Sequence, residues 1–239
     1  MLQSSPIKEQ IYTQLWDAIT RRQLLPGAKL EENVISSAFN TSRTTIREVL
    51  FVLRSEGLVW LPADRGAFIA QPTIPEAVDR SRIACLFAAD AAASMAAAPA
   101  NARKHIAHEI ERLINSIRSG DSDGATAQFL DLIVCMAGLT NRSTVTKQVS
   151  IAMAAAQLAM LANRCDGPLL AVAEDLLQAL AEEDAAKAKA AIRSYYRAVI
   201  ADLEQTTPSR RDLKAILARA SLTPLAPPST PTLSHGEQS

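Results

Sequence analysis

The chain has 239 residues, and its 25 Lys and Arg are matched by 25 Asp and Glu, so whole-chain charge identifies neither a nucleic-acid nor a membrane partner. Charge clustered on one face can still do so, and that clustering has to be sought locally. Hydrophobic residues make up 48%, enough for the core of one or two domains, while a 4% aromatic content and the alanine-rich sequence after Ala84 favour helix over sheet.

Ile7, Ile11, Leu15 and Ile19 recur every four residues and predict a first helix, ended by Pro26-Gly27. A short second helix is expected from about Glu31 to Phe39, with Val34, Ile35 and Ala38 inward. A third starts at Ser42, a good N-cap, and stops at Gly57. Leu58-Val59-Trp60-Leu61 and Ala67-Phe68-Ile69-Ala70 read as two strands joined by the turn Pro62-Ala63-Asp64-Arg65-Gly66. Gln71-Pro72-Thr73-Ile74-Pro75 reads as a linker. Beyond it only helices are expected: about 75–97, 101–118, 122–138, 143–163, 167–182, 184–204 and a short one near 209–220. The tail from Thr223 is rich in Pro, Ser and Thr and has too few apolar residues to fold. The expected fold class is thus mainly α. A first domain of three helices and a hairpin spans 1–72, a helical domain 73–221 and a disordered tail 222–239.

Cys85, Cys135 and Cys165 are widely spaced and include no C-x-x-C pair, which argues against a disulfide framework or a zinc ribbon and fits a reducing cytosol. The start, MLQSSPIKEQ, has no apolar core of a signal peptide, and no run of about 18 consecutive apolar residues occurs. A cytoplasmic location without membrane contact is the expectation.

The third helix carries the chemistry. Ile46, Val49, Leu50 and Leu53 form its apolar face, and Arg43, Arg47 and Arg54 fall in a narrow arc beside it. Ser42, Thr44 and Thr45 crowd the first turn. Hydroxyls, open amides and arginines at a helix N-terminus suit phosphate and guanine edges in the major groove. Arg65 and Gly66 at the tip of the hairpin offer a second contact, because glycine admits a close backbone approach and arginine suits the minor groove. The plainer alternative is a solvated arginine face paired to Glu48 or Glu56.

The run LLPGAKLEENVISSAFNTSRTTIREVLFVLRSEGLVWLPADRGAFIA resembles the N-terminal domain of the GntR family of regulators. The pieces are Pro26-Gly27, Ser42-Arg43-Thr44-Thr45, Arg47-Glu48-Val49-Leu50, Leu53, Glu56-Gly57-Leu58-Val59 and Arg65-Gly66-Ala67-Phe68. What the resemblance implies is a winged helix-turn-helix that binds a pseudo-palindromic DNA operator as a homodimer. DNA-contacting positions then fall on Ser42, Arg43, Thr44, Thr45, Arg47 and Gly66. Where some members have an arginine in the second helix, this chain has Asn33.

The helical remainder resembles the FCD subgroup, which implies a bundle binding a small effector, often a carboxylate, and frequently a divalent metal held by one Asp and three His. Carried over by position, the Asp is Asp131, while the three His become Cys135, Ala173 and Tyr195. Ala173 has no donor atom and Tyr195 is a rare ligand, so no metal and no other cofactor is expected. Gln128, Asp131, Cys135, Ala173 and Tyr195 are candidates for an effector pocket. The competing reading is a packed core in which Tyr195 donates a hydrogen bond to Asp131. His105 and His108 point away from the apolar stripe of their helix, and without an internal His no Ser-His-Asp or Cys-His catalytic set can be built. The sequence reads as a ligand-responsive regulator, most simply a repressor, that partners operator DNA, a second copy and a small effector such as an organic acid. A bundle that only dimerises is one rival, and an enzyme fused to a DNA-binding domain is another.

Overall fold

Apolar residues spaced by four give α1 (Pro6–Thr20), which buries Ile11, Leu15 and Ile19. Proline at its start has no N–H to leave unsatisfied and a φ already suited to a helix. The computed structural model that contains this helix describes residues 5–63 and 65–206.

Next come β1 (Lys29–Leu30), α2 (Glu32–Ala38), α3 (Arg43–Ser55), β2 (Val59–Trp60) and β3 (Ala67–Ile69). The sheet is three-stranded and antiparallel in the order β1-β3-β2, with Lys29 opposite Phe68 and Val59 opposite Ile69. The expected hairpin is therefore β2-β3. β1 is an addition, since two residues are too few to show an alternating pattern. Ile46, Val49, Leu50 and Leu53 of α3 are fully buried in one core with the α1 stripe, Leu58 and Ile69. α2 departs from expectation. Val34 is 62% exposed and Ala38 is also exposed, and only Ile35 and Phe39 pack partly on the core. A helix of seven residues presents one narrow stripe, here the pair four apart, and Val34 lies about 100° away from it.

The bundle consists of α4 (Ile74–Ser94), α5 (Ala100–Arg118), α6 (Ser122–Gly138), α7 (Ser143–Ala162), α8 (Leu169–Ala181) and α9 (Ala185–Gln205), with a short 3-10 turn after α4. These spans fall within two residues of those expected, apart from α4, which ends three residues early in that turn. Thr73 and Glu76 form a capping box that starts α4 at the linker. α4 packs most extensively on α9 and α7. Its buried Ala77, Ala84, Ala88, Ala91 and Ala92 permit a close approach. The helix expected near 209–220 and the tail lie outside the described residues.

By length and composition α7 could cross a membrane. Residues 152–160 of it, however, are all buried within the protein, so the bundle core accounts for their apolarity. Residues up to Thr206 form one compact unit. Polar contacts join its two halves across the linker. Arg80 Nη1 donates to the Gly57 carbonyl at 2.9 Å, and Asn163 Nδ2 donates to the Pro72 carbonyl at 3.0 Å.

One buried polar pair ties α1 to the end of α3: Tyr12 Oη donates to Glu56 Oε2 at 2.9 Å. Burial raises the Glu56 carboxyl above the ordinary range, and the hydrogen bond from Tyr12 and the charge of Lys147 only partly oppose it. The folded state thus holds the Glu56 proton to higher pH than the unfolded chain does. This site's contribution to stability falls as pH rises from the ordinary glutamate range to the raised value. Glu56→Gln keeps an acceptor for Tyr12 and removes the ionisation. Urea unfolding is expected to show it at least as stable as wild type at neutral pH, with any advantage gone below about pH 4.

Candidate nucleic-acid interface and effector cavity

Helix α3 starts with a formed cap. Ser42 Oγ accepts from the Thr45 N–H at 3.1 Å and lies 2.9 Å from the Thr45 hydroxyl. Burial of Ile46, Val49 and Leu50 on one side leaves Ser42, Arg43, Thr44 and Arg47 exposed on the other, with Thr45 half-buried between them. The first turn of a helix has N–H groups without intrahelical partners, a natural seat for a phosphate oxygen.

The arginines do not make the ion pairs with Glu48 or Glu56 that the plainer alternative called for. Lys8 takes Glu48, and Tyr12 takes Glu56. Arg47 reaches back to α2, where its Nε–H is shared between both Glu32 oxygens at 3.1 and 2.9 Å. The Arg47 side chain is 64% exposed while Glu32 is only 18% exposed, so a largely buried carboxylate holds an exposed guanidinium through one nitrogen. That contact leaves the two terminal amino groups of Arg47 without a partner among the described residues. Arg43 and Arg54 form no ion pair with any described residue.

At the wing, Arg65 and Gly66 are exposed. Gly66 has φ +83°, a left-handed conformation that suits glycine, and among the described residues beyond its chain neighbours the aliphatic end of Lys29 lies beside it, 3.9 Å from where a Cβ would stand. Lys29 thereby joins Arg65 at the wing. It could not be assigned to the site from sequence, because its place depends on pairing between β1 and β3.

The helical half holds a cavity of about 340 Å³ bounded by the ends of α5 and α7, the starts of α6 and α8, and α9. Arg22, from the turn after α1, forms part of its wall together with Thr126, Gln157, Asp166, Gly167 and Tyr195. Of the five residues expected in an effector pocket, Tyr195 alone lines this cavity. Asp131 is turned outward, its side chain 57% exposed and 3.7 Å from Arg21. Cys135 is half-buried, with burial raising its thiol pKa. Ala173 is sealed in the core, and Gln128 donates to the Ser116 hydroxyl at 2.9 Å. The inward face of α6 is instead Phe129, Ile133 and Met136, so the stripe of Gln128, Asp131 and Cys135 lies at the edge of the bundle. Nor does Tyr195 meet Asp131. Its ring packs against Phe129 and Tyr196 with centroids 5.1 and 5.0 Å away.

These placements do not suit a metal. Asp131, Cys135, Ala173 and Tyr195 do not converge, and no group of three His, Cys, Asp or Glu capable of holding an ion occurs among the described residues. His105 and His108 are both exposed.

Residues 7–69 match the family model of bacterial regulatory proteins of the gntR family. The chain is 28% identical over 209 residues to an uncharacterized HTH-type transcriptional regulator in an unstable DNA locus of Streptomyces ambofaciens, covering 83% of this chain and 85% of that protein. Over 66 residues it is 33% identical to the HTH-type transcriptional repressor RspR of Escherichia coli K12, 28% of this chain and 29% of that one. The fold is shared with a protein from Rhodococcus sp. RHA1 named for the GntR class (TM-score 0.72, 22% identity, 85% of this chain and 100% of that one). It is shared also with E. coli McbR/YncC (TM-score 0.69, 18% identity, 84% and 99%). Fold, exposed helix start and basic wing define a DNA-binding transcription regulator with a helix-turn-helix. The likeness to the gntR family is carried by residues 7–69.

Ser42 supports this surface as a cap as well as by its position. Ser42→Ala should destabilise the protein by about 1 kcal/mol in urea unfolding, through loss of the acceptor for the Thr45 N–H.

Proposed function

We propose that the protein represses or otherwise regulates transcription by binding a pseudo-palindromic operator as a homodimer, in response to a small effector such as an organic acid. One observation carries the DNA reading. The start of α3 exposes Arg43, Thr44 and Arg47 together, with the Arg47 guanidinium held by Glu32. In this reading Ser42, Thr44 and Thr45 meet phosphates, Arg43 and Arg47 read base edges, and Arg65, Gly66 and Lys29 follow the backbone or minor groove. The three-helix and wing unit spans residues 1–72, and the bundle from 73 onward holds the effector and the partner subunit. A cytoplasmic location follows from the DNA target.

A second copy suits the outer face of α4. Ile83 is 49%, Leu86 73% and Phe87 36% exposed, in a stripe flanked by Asp79 and Arg82. Charges of both signs beside an apolar stripe let the same face pair with itself about a two-fold axis, which a palindromic site requires. Among the described residues no catalytic constellation supports an enzymatic role.

Selection of bound sequences from random oligonucleotides should return an inverted repeat. Arg43→Ala and Arg47→Ala should each weaken operator binding in an anisotropy titration by about 1–3 kcal/mol. Unchanged affinity for both would reject α3 as the reading helix. Leu86→Glu should convert a dimer to a monomer in sedimentation, and a wild-type monomer would reject this face.

A further inference from the structure

The cavity beside Tyr195 has polar groups that the protein itself does not satisfy. Gln157 is 8% exposed, and its Nε2 donates to the Thr126 carbonyl at 2.8 Å, which fixes the orientation of the amide. The opposite end, Oε1, is buried without a hydrogen-bond partner. An acceptor left unpaired away from water is costly, so a donor is called for. Tyr195 is 4% exposed, and its hydroxyl makes no hydrogen bond to a described residue. The tyrosine lies so close to Gly167 that a Cβ there would collide with the ring and the hydroxyl.

Two opposite charges complete the wall. Arg22 has a side chain only 11% exposed and donates Nη1 to Asp123 at 2.8 Å. Its Nη2 is 3.8 Å from Asp166 Oδ1, beyond hydrogen-bond distance, and Asp166 is 75% exposed. The remaining wall includes Ile117, Ala125, Met160, Leu169 and Leu170, all apolar. The cavity thus combines a guanidinium, a loosely held carboxylate, a buried acceptor, an unpartnered hydroxyl and an aliphatic surface. Its volume of about 340 Å³ falls within the range of small-molecule sites.

We propose that this cavity binds an aliphatic α-amino acid. The ligand carboxylate accepts from Arg22 and the Tyr195 hydroxyl. Its ammonium donates to Gln157 Oε1 and to Asp166, and its side chain lies on the apolar wall. A plain carboxylic acid would leave the Gln157 oxygen without a donor, and a plain amine would leave the Tyr195 hydroxyl without an acceptor and Arg22 on Asp123. The zwitterion meets all four. Because Arg22 belongs to the turn after α1, the ligand touches the DNA-binding half directly and competes with Asp123 for the guanidinium. The consequence for DNA rests on the regulator reading above, while the binding itself does not.

The test is thermal unfolding of the full chain with L-leucine, L-valine or L-methionine, set against 4-methylpentanoate and isopentylamine, which lack the ammonium and the carboxylate of leucine. At about 10 mM, at least one amino acid is expected to raise Tm by about 5 °C while neither analogue does. Gln157→Leu, Arg22→Gln and Asp166→Asn should each lose most of that shift, and circular dichroism confirms that each is folded. No shift with any of the three amino acids overturns the proposal. So does an equal shift with 4-methylpentanoate, or a shift retained in both Gln157→Leu and Arg22→Gln. Operator anisotropy without added amino acid is read separately. Failure to bind DNA there counts against the regulator reading, and failure of the thermal shift counts against the cavity.

Discussion

Much of the molecule depends on burying one stripe of α3. Ile46, Val49, Leu50 and Leu53 pack against Ile11, Leu15 and Ile19, the α1 residues recurring every four and the α3 residues repeating at three and four with Val49 and Leu50 adjacent. Fully burying a side chain of this kind is worth on the order of 2 kcal/mol relative to leaving it in water. With that stripe inward, the orientation of α3 is set, and geometry sends Arg43, Thr44 and Arg47 outward. The basic surface is a by-product of core packing, which explains how a chain with no net charge can present one.

Glu32 refines that surface. A carboxylate beside DNA would ordinarily repel phosphate, but this one is mostly covered and spends its charge on the Arg47 Nε–H. The guanidinium gains a fixed plane before any partner arrives, and side-chain ordering is an entropic cost of association that prior ordering reduces. The same economy is absent from Arg43, which has no such anchor.

The DNA-binding half was legible in the sequence because its signals are local: a cap at Ser42, a period of three and four in α3, a glycine after Glu56 and another at the wing. The bundle helices were legible for the same reason. What escaped is what depends on distant pairing. β1 is two residues long, and Lys29 reaches the wing only through β3. The placement of Gln128, Asp131 and Cys135 escaped through the rotation of α6. Its sequence is apolar nearly all round, so periodicity gave no indication of which side faces inward, and Asp131 emerged on the outside. The cavity wall contributed by Arg22 was invisible for a further reason, since it joins residues about a hundred positions or more apart.

The hydrogen bond from Arg80 to the Gly57 carbonyl has a mechanical meaning. It fastens the C-terminal end of α3 to the first helix of the bundle, with the Arg43 end at the far tip. Thirteen residues at 1.5 Å each make an arm of about 20 Å, so a swing of about 10° at the fastening would carry the tip roughly 3 Å, close to the rise of one base pair. A rearrangement of α4 too slight to disturb its own packing would then shift the protein's grip on the groove by a whole step.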